Sequence, residues 1–569
     1  MVKQFFGIAA CFICLSLSLP AQTIQSRPYP KNYFRYPLDL PPVTAGTFGE
    51  LRPNHFHSGL DFKTMQVTGY PVHAAQDGYI SRLRVEFGGF GNAIYITHPS
   101  GYTTVYGHIE RFAPALEKAV RQAQNSQQTD MVDFKLDAMQ IEICQGDVIA
   151  WSGNAGASAG PHLHFEIRDT KTEETINPQL FGLTIPDKVP PSLYAIGIYK
   201  LDKPFSENTP RQFIPVTGKG GSYRLLKPQV INVSGATGFG IIANDQTSAS
   251  PNHNGIYSLE LKVDGKTVYT YAVERFAFDE THAINAYLDY PEFLRTHRYI
   301  QKCFIPPGSK ISLYTQSINR GVVNFNDDAV HAVEYVVKDV AGNTSRLDIN
   351  VKSSVTAATV SAAPAGILFH YDKANEFSND KIRVMIAPGN LYDDLYFTYS
   401  ALPERPGTYS AIHRIHNHLT PINDTFDLWI KPDSTISKYA GKAVIVNTDG
   451  VCENSTYEDG YVKTKARTFG DYFIKVDRVP PFIIPVNIKN GASLKKAKSI
   501  ALHIGDRLSG IKSYSGKIDG KWVLMQWDYK THILHYYFTD EITPGKHSFD
   551  LMVTDAKDNT AHFAAEFFR

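Results

Sequence analysis

Three landmarks recur in the same order along the C-terminal two-thirds of this 569-residue chain, and they restrict the fold more than any other feature. Asp187-Lys188-Val189-Pro190-Pro191 returns as Asp477-Arg478-Val479-Pro480-Pro481. The run GIYSLELKVDGK from Gly255 is echoed by GIKSYSGKIDGK from Gly510, and each copy closes on an Asp-x-x-x-Asn turn, DVAGN from Asp339 and DAKDN from Asp555. Ordered repetition of this kind implies two copies of one structural unit, the first the longer and so carrying insertions. In both copies Asp-Gly lies between alternating apolar and polar residues, a hairpin signal, because both turn residues must take positive φ. Short strands with regularly spaced turns predict β-sandwiches of immunoglobulin-like type.

The rest of the chain divides around this repeat. MVKQFFGIAACFICLSLSLPAQ places Lys3 before an apolar run from Phe5 to Leu19 and then Pro20-Ala21, the pattern of a signal peptide cleaved after Ala21. At about 15 residues the run is short of the ~20 that a spanning helix needs. Cys11 and Cys14 would leave with it, and Cys144, Cys303 and Cys452 are too few and too scattered for a disulfide framework. The small-residue segment SSVTAATVSAAPAG from Ser353 reads as a linker. The expected organisation is a signal at 1–21, an N-terminal domain at 22–182, a β module at 183–352, a linker and β-rich module at 353–476 and a last β module at 477–569. One clear helix is expected, Pro114 to Gln124, with Phe112, Leu116, Val120 and Ala123 near helical spacing and proline in the first turn. With 57 Lys+Arg against 56 Asp+Glu the net charge is +1, which gives no electrostatic reason to expect nucleic acid or an anionic membrane as partner.

The residues with chemical potential lie in the N-terminal domain. GELRPNHFHSGLDFKT, Gly49 to Thr64, brings His57 and Asp61 within four positions. In NAGASAGPHLHFEIRD, His162, His164, Glu166 and Arg168 alternate with Leu163, Phe165 and Ile167, the period of a half-buried strand, so both histidines share its polar face. His108 follows a third alternating run, Gly91 to Tyr106. A catalytic zinc takes three protein ligands and a water. His57, Asp61 and one of His162 and His164 meet that number, leaving the other histidine and His108 to flank the water as acid, base or oxyanion donor. The bland alternative for any one His-x-His is an exposed strand face. His55, His73 and His98 read as turn or surface residues.

Taken together, His57-x-x-x-Asp61, Tyr106-Gly107-His108 and Gly160-Pro161-His162-Leu163-His164 resemble the M23 peptidases, the LytM or lysostaphin-type zinc endopeptidases of peptidoglycan. The likeness runs from about Phe48 through Phe181 and includes PVHAAQDGYI from Pro71, GFGNAIYITHPSGYTTVYGH from Gly89 and GDVIAWSGNAG from Gly146. It implies zinc held by His57, Asp61 and His164, His108 and His162 as the catalytic pair, and a small antiparallel β-sheet scaffold. The implied substrate is the peptide stems of peptidoglycan, cut by an exported enzyme of the periplasm or envelope, with an envelope protein as a candidate regulator. The alternative is a silent scaffold that activates another wall hydrolase. A thermolysin-like protease is excluded by the lack of His-Glu-x-x-His. Gly59 is expected to give the chain room to turn between the two ligands. One departure from the family pattern is the long stretch between His108 and Gly146, an insertion at about 111–140 that either packs on the sheet or forms a lid or docking surface at the groove. The β modules carry no catalytic constellation and read as spacers.

Overall fold

The computed structural model describes residues 24–138, 140–355 and 365–569; the expected signal peptide and most of the expected linker lie outside them. The chain is mainly β, as expected. Among the described residues no helix is long and apolar enough to cross a membrane.

The N-terminal part is built on an antiparallel sheet with strands in the order Thr44–Gly46, Leu60–Lys63, His162–Asp169, Tyr102–Gly107, Asn92–Thr97, Gly78–Val85, Val132–Lys135. A smaller sheet pairs Val148–Ser152 with Pro71–His73 on one side and Ile109–Phe112 on the other. In His162–Asp169 the odd positions Leu163, Phe165 and Ile167 are fully buried in the core, as the alternation predicts. The polar face departs from expectation: His164, Glu166 and Arg168 are buried as well, so the strand is covered on both sides. Phe90 stacks on His164 at 5.0 Å, and further cover comes from a later part of the chain. Phe278 lies 4.3 Å from the Arg168 guanidinium, a cation–π contact that shields the charge from water.

The expected helix forms as Pro114–Gln127, with proline in its first turn, and seats Leu116 and Val120 in the core. It ends where Gln128 takes positive φ (51°) and donates its N–H to the Gln124 carbonyl, closing the last turn. Val132–Lys135 and Glu142–Ile143 then both pair with Gly78–Val85, so the insertion packs on the sheet and extends its edge. It also serves as a docking surface within the chain. The buried Asp130 accepts hydrogen bonds from the Tyr514 hydroxyl and the Trp527 amide of the last β unit, and Trp527 meets Phe87 edge-on at 5.0 Å. Asp130→Ala strands both donors at a cost of about 1–3 kcal/mol; hydrogen exchange at the Trp527 amide should then accelerate, and unchanged exchange would show that Asp130 does not hold the two together.

Both repeat copies form the expected hairpins. Ser258–Val263 turns back through Asp264 (φ 50°) and Gly265 (77°), and Ile511–Ile518 through Asp519 (50°) and Gly520 (78°). Each hairpin pairs next with a long strand, Val330–Lys338 or Lys546–Asp555, whose histidine (His331, His547) bonds the turn aspartate at 2.6 Å. The last unit faces a four-stranded sheet against a five-stranded one around a single core from Ile488 to Phe567. Residues 367–476 hold two five-stranded sheets around another.

The N-terminal domain and first β unit interlock more than separate modules would. Phe48 and Phe56 belong to the core of the first β unit, while Tyr257 and Ala272 belong to that of the N-terminal domain. Arg275–Phe276 even adds to the N-terminal sheet by pairing with Thr175–Ile176. Cys144, Cys303 and Cys452 are unpaired. Besides Pro114–Gln127, a short helix that the sequence reading missed runs Tyr290–Thr296, started by the Asp289 carboxylate capping the Glu292 amide.

Candidate metal centre

Register creates the site. Leu60–Lys63 lies antiparallel to His162–Asp169 with Asp61 opposite His164, while on its other side His164 is opposite Gly107, which delivers His108 as the next residue. His108 has positive φ (60°), which turns the chain out of its strand. His57 enters from the loop after the short hairpin Leu51–Arg52/His55–Phe56, which also sets Arg52 beside Asp61.

His57 Nε2, His164 Nδ1 and Asp61 Oδ1 lie 3.1, 3.0 and 2.8 Å apart in their three pairings. The far nitrogen of each ring fixes its tautomer. His57 Nδ1–H donates to the Thr47 carbonyl (2.8 Å) and His164 Nε2–H to Glu166 Oε1 (3.0 Å). With both rings neutral, the inner nitrogens therefore carry lone pairs aimed at an anionic oxygen and at each other. The two other expected site residues flank this group. His108 Nδ1–H donates to the Ala155 carbonyl (2.8 Å) and His162 Nδ1–H to the Gly160 carbonyl (2.8 Å). Their rings stand 4.7 Å apart, and the buried His162 Nε2 has no hydrogen-bond partner, 3.4 Å from Asp61 Oδ1.

Three acceptors this close require a positive charge among them. A proton supplies it on His164, where burial is outweighed by the hydrogen bonds to Asp61 and Glu166 and the group titrates at about 9. Burial, against the pull of Asp61, brings His57 down to about 4, and burial beside His164 and His162 brings His108 to about 3. Burial would raise Asp61, but the electrostatic pull of His57 and the hydrogen bonds with His164 and His57 hold it well below the usual carboxylate range. Glu166 behaves likewise: Arg168 and His164 overcome its burial and hold it at about 2, an ionised acceptor. A dication would satisfy all three acceptors at once. Two imidazole nitrogens and one carboxylate oxygen, each oriented by an outer partner, are the donor set and support that a catalytic zinc takes. The residues present fit that ion.

The structure thus brings together His57, Asp61, His164, His108 and His162. His55 is exposed and apart, bonding only Pro53 within its own turn. His98 corrects the reading as a turn or surface residue: it is buried, its ring bridging the Asp77 carbonyl and the Thr104 hydroxyl at 2.8 Å each. His73 is half-buried on the Gly146 carbonyl. Gly59 needs a different explanation too. A Cβ there would lie 2.3 Å from the Phe165 carbonyl oxygen, so glycine is required by the close approach of two strands and not by a turn.

Glu166 and Arg52 were missed as site residues. Glu166 carried a signal, two positions from His164 on the same strand face, where a carboxylate can orient a ligand ring. Arg52, whose Nη2 donates to Asp61 Oδ2 at 2.6 Å, carried none, since only folding of the hairpin brings it there.

Residues 55–128 match peptidase family M23 and residues 367–477 the Zu5-like domain. Among curated proteins, the chain is 33% identical over 131 residues to the DD-carboxypeptidase/endopeptidase Mpg of Neisseria meningitidis, covering 23% of this chain and 24% of that protein. It is 31% identical over 145 residues to an uncharacterized metalloprotease of Haemophilus influenzae, covering 24% of this chain and 25% of that one. The match thus spans about a quarter of the length of each relative. The catalytic domain of lysostaphin from Staphylococcus simulans shares 25% identity over 24% of this chain and 87% of that domain, with a TM-score of 0.17.

Proposed function

We propose that this chain, whose N-terminal domain belongs to peptidase family M23, is an exported zinc endopeptidase that hydrolyses peptide cross-links of bacterial peptidoglycan. The observation that carries the reading is the convergence of His57 Nε2, His164 Nδ1 and Asp61 Oδ1, three acceptors with their outer partners already in place. The name of the Neisseria relative, a DD-carboxypeptidase/endopeptidase, supports a D,D bond in the stem peptides as the one cut. The β units behind the peptidase domain are immunoglobulin-like spacers in this reading, and the protein works in the periplasm or envelope.

His57, Asp61 and His164 would hold zinc, which supplies a Lewis acid for the scissile carbonyl and lowers the pKa of water toward about 7. The rest follows from the chain's own groups. The Ala155 and Gly160 carbonyls hold Nδ1 of His108 and His162 as donors, so each ring turns a lone pair on Nε2 toward the site. One ring can take the proton of the attacking water; protonated, it can pass that proton to the leaving amine. The other, when charged, stabilises the oxyanion. The loop Asn154–Ser158 that positions His108 is itself held from outside: Lys530 Nζ of the last β unit donates to the Asn154 and Ser158 carbonyls (2.7 Å each), and the Tyr529 hydroxyl to Gly156 (3.1 Å).

The test is mass spectrometry of fragments released from purified peptidoglycan by the zinc-loaded protein beside a zinc-stripped sample. Cross-linked species should convert to shorter peptides only with zinc; intact cross-links in both samples would count against the reading. Glu166→Gln is expected to weaken zinc binding by ~10–100-fold, because His164 loses the anionic acceptor that fixes its tautomer. Competition with a chromogenic chelator measures it, and unchanged affinity would remove Glu166 from the site.

A further inference from the structure

A second cluster of acidic side chains lies in the first β unit, away from the histidines. One carboxylate oxygen from each of Asp187, Asp245 and Asp339 falls within 4.8 Å of the others. These are repeat positions: Asp187 opens the Asp-x-Val-Pro-Pro landmark, Asp339 the Asp-x-x-x-Asn turn, and Asp245 follows the strand Gly235–Asn244. The last unit places Asp477, Asp555 and Asp506, which follows the strand Ser499–Gly505, in the same relation.

The two copies differ in how the middle aspartate is satisfied. In the last unit Gly510 follows Asp506 by four residues, and the tight turn donates the Leu508 and Gly510 amides to Asp506 Oδ2 at 2.9 Å each. In the first unit Gly255 follows Asp245 by ten residues, and the longer loop leads away. Asp245 is 5% exposed, yet its Oδ1 has no hydrogen-bond partner. Thr247, also 5% exposed, has an unpartnered hydroxyl. Asp187, Asp245 and Thr247 line one cavity of about 20 Å³, closed on another side by Thr47 and Phe48 of the peptidase domain. A buried carboxylate oxygen without a donor is costly unless a cation or proton meets it. Burial, with Asp339 and Asp187 adding like charge, raises Asp245 to about 9, so the crowding is felt.

We propose that Asp187, Asp245 and Asp339 bind a calcium ion where their carboxylates meet at the edge of this cavity, with the Thr247 hydroxyl facing it. The donors are all oxygen, which selects a hard cation, and calcium tolerates irregular oxygen cages where magnesium demands a near-ideal octahedron. The ion would anchor the loop that grips the peptidase sheet. In that loop Ser250 and Asn252 accept Lys63 Nζ at 2.7 and 3.0 Å, and Asn252 Nδ2 donates to the Ala45 carbonyl at 2.8 Å. Lys63 ends the strand that carries Asp61, and Thr47 in the cavity wall is the residue whose carbonyl orients His57. The site therefore sits behind the zinc-side strands as a structural clamp.

Calorimetric titration of the zinc-loaded, calcium-free full-length protein with CaCl2 tests this. Wild type should take up one calcium equivalent that Asp245→Asn lacks, and calcium should raise the unfolding temperature of wild type by several degrees and leave the variant unchanged. Without calcium Asp245→Asn should be about as stable as wild type, since burial and the neighbouring aspartates already hold the Asp245 carboxyl protonated and the amide is its neutral counterpart. Asp187→Asn, at a half-buried position, must lose the same equivalent, which keeps the test decisive if Asp245→Asn fails to fold. No calcium uptake by wild type, or equal uptake by wild type and both variants, overturns the proposal.

Discussion

His164→Ala is expected to empty the zinc site and to lower the rate of peptidoglycan hydrolysis by at least ~10³-fold, about 4 kcal/mol of transition-state stabilisation. His164 touches both of the other proposed ligands, at 3.1 Å from His57 and 2.8 Å from Asp61, and it connects them to the Glu166–Arg168 pair behind. Removing the ring leaves two ligands where zinc needs three. His162→Ala should behave differently. Its ring is the second histidine of the same strand face but has Gly160 as its outer partner and is 3.4 Å from Asp61, so zinc should stay while activity falls by about 10²–10⁴-fold. Zinc content by atomic emission, measured beside the rate, separates the two roles. Stoichiometric zinc in His164→Ala, or its loss from His162→Ala, would reverse the assignment.

That division of labour also marks how far the sequence could be read. Period-two alternation in HLHFEIRD put both histidines on one face, and the structure keeps them there; it could not show that Phe278, more than a hundred residues later, would bury the far end of that face. Asp264-Gly265 and Asp519-Gly520 announced their hairpins because the turn conformation demands those residue types locally. Long-range placements were illegible for the converse reason. Arg52 reaches Asp61 only when the Pro53-Asn54 turn closes its hairpin, and a turn signal does not say what the folded hairpin will touch; Phe48 and Phe56 pack into a neighbouring core although their sequence neighbours belong to the peptidase site. Asp245 escaped notice because the longer loop before Gly255 broke its alignment with Asp506, although the flanking landmarks were plain.

Gly59→Ala should destabilise the domain by about 2–4 kcal/mol and lower zinc occupancy with it. The added Cβ would lie 2.3 Å from the Phe165 carbonyl oxygen and 3.0 Å from both Glu166 Cγ and His164 Cε1. A flexible side chain can yield a few tenths of an ångström, but the carbonyl belongs to the central strand, whose Phe165 is fully buried and paired to Leu60 and Tyr106 on its two sides. The strain must be relieved by moving Leu60–Lys63 away from His162–Asp169, the separation that sets Asp61 against His164. Stability and metal binding are thus coupled at this position: denaturant unfolding should show a lower midpoint, and zinc should restore part of the loss by mass action. Gly160 provides the contrast, with no atom within 4 Å of its added Cβ, so Gly160→Ala should leave both quantities close to wild type. Equal behaviour of the two alanine variants would mean that the strands have slack between them and that the ligand register is held by something other than close packing at Gly59.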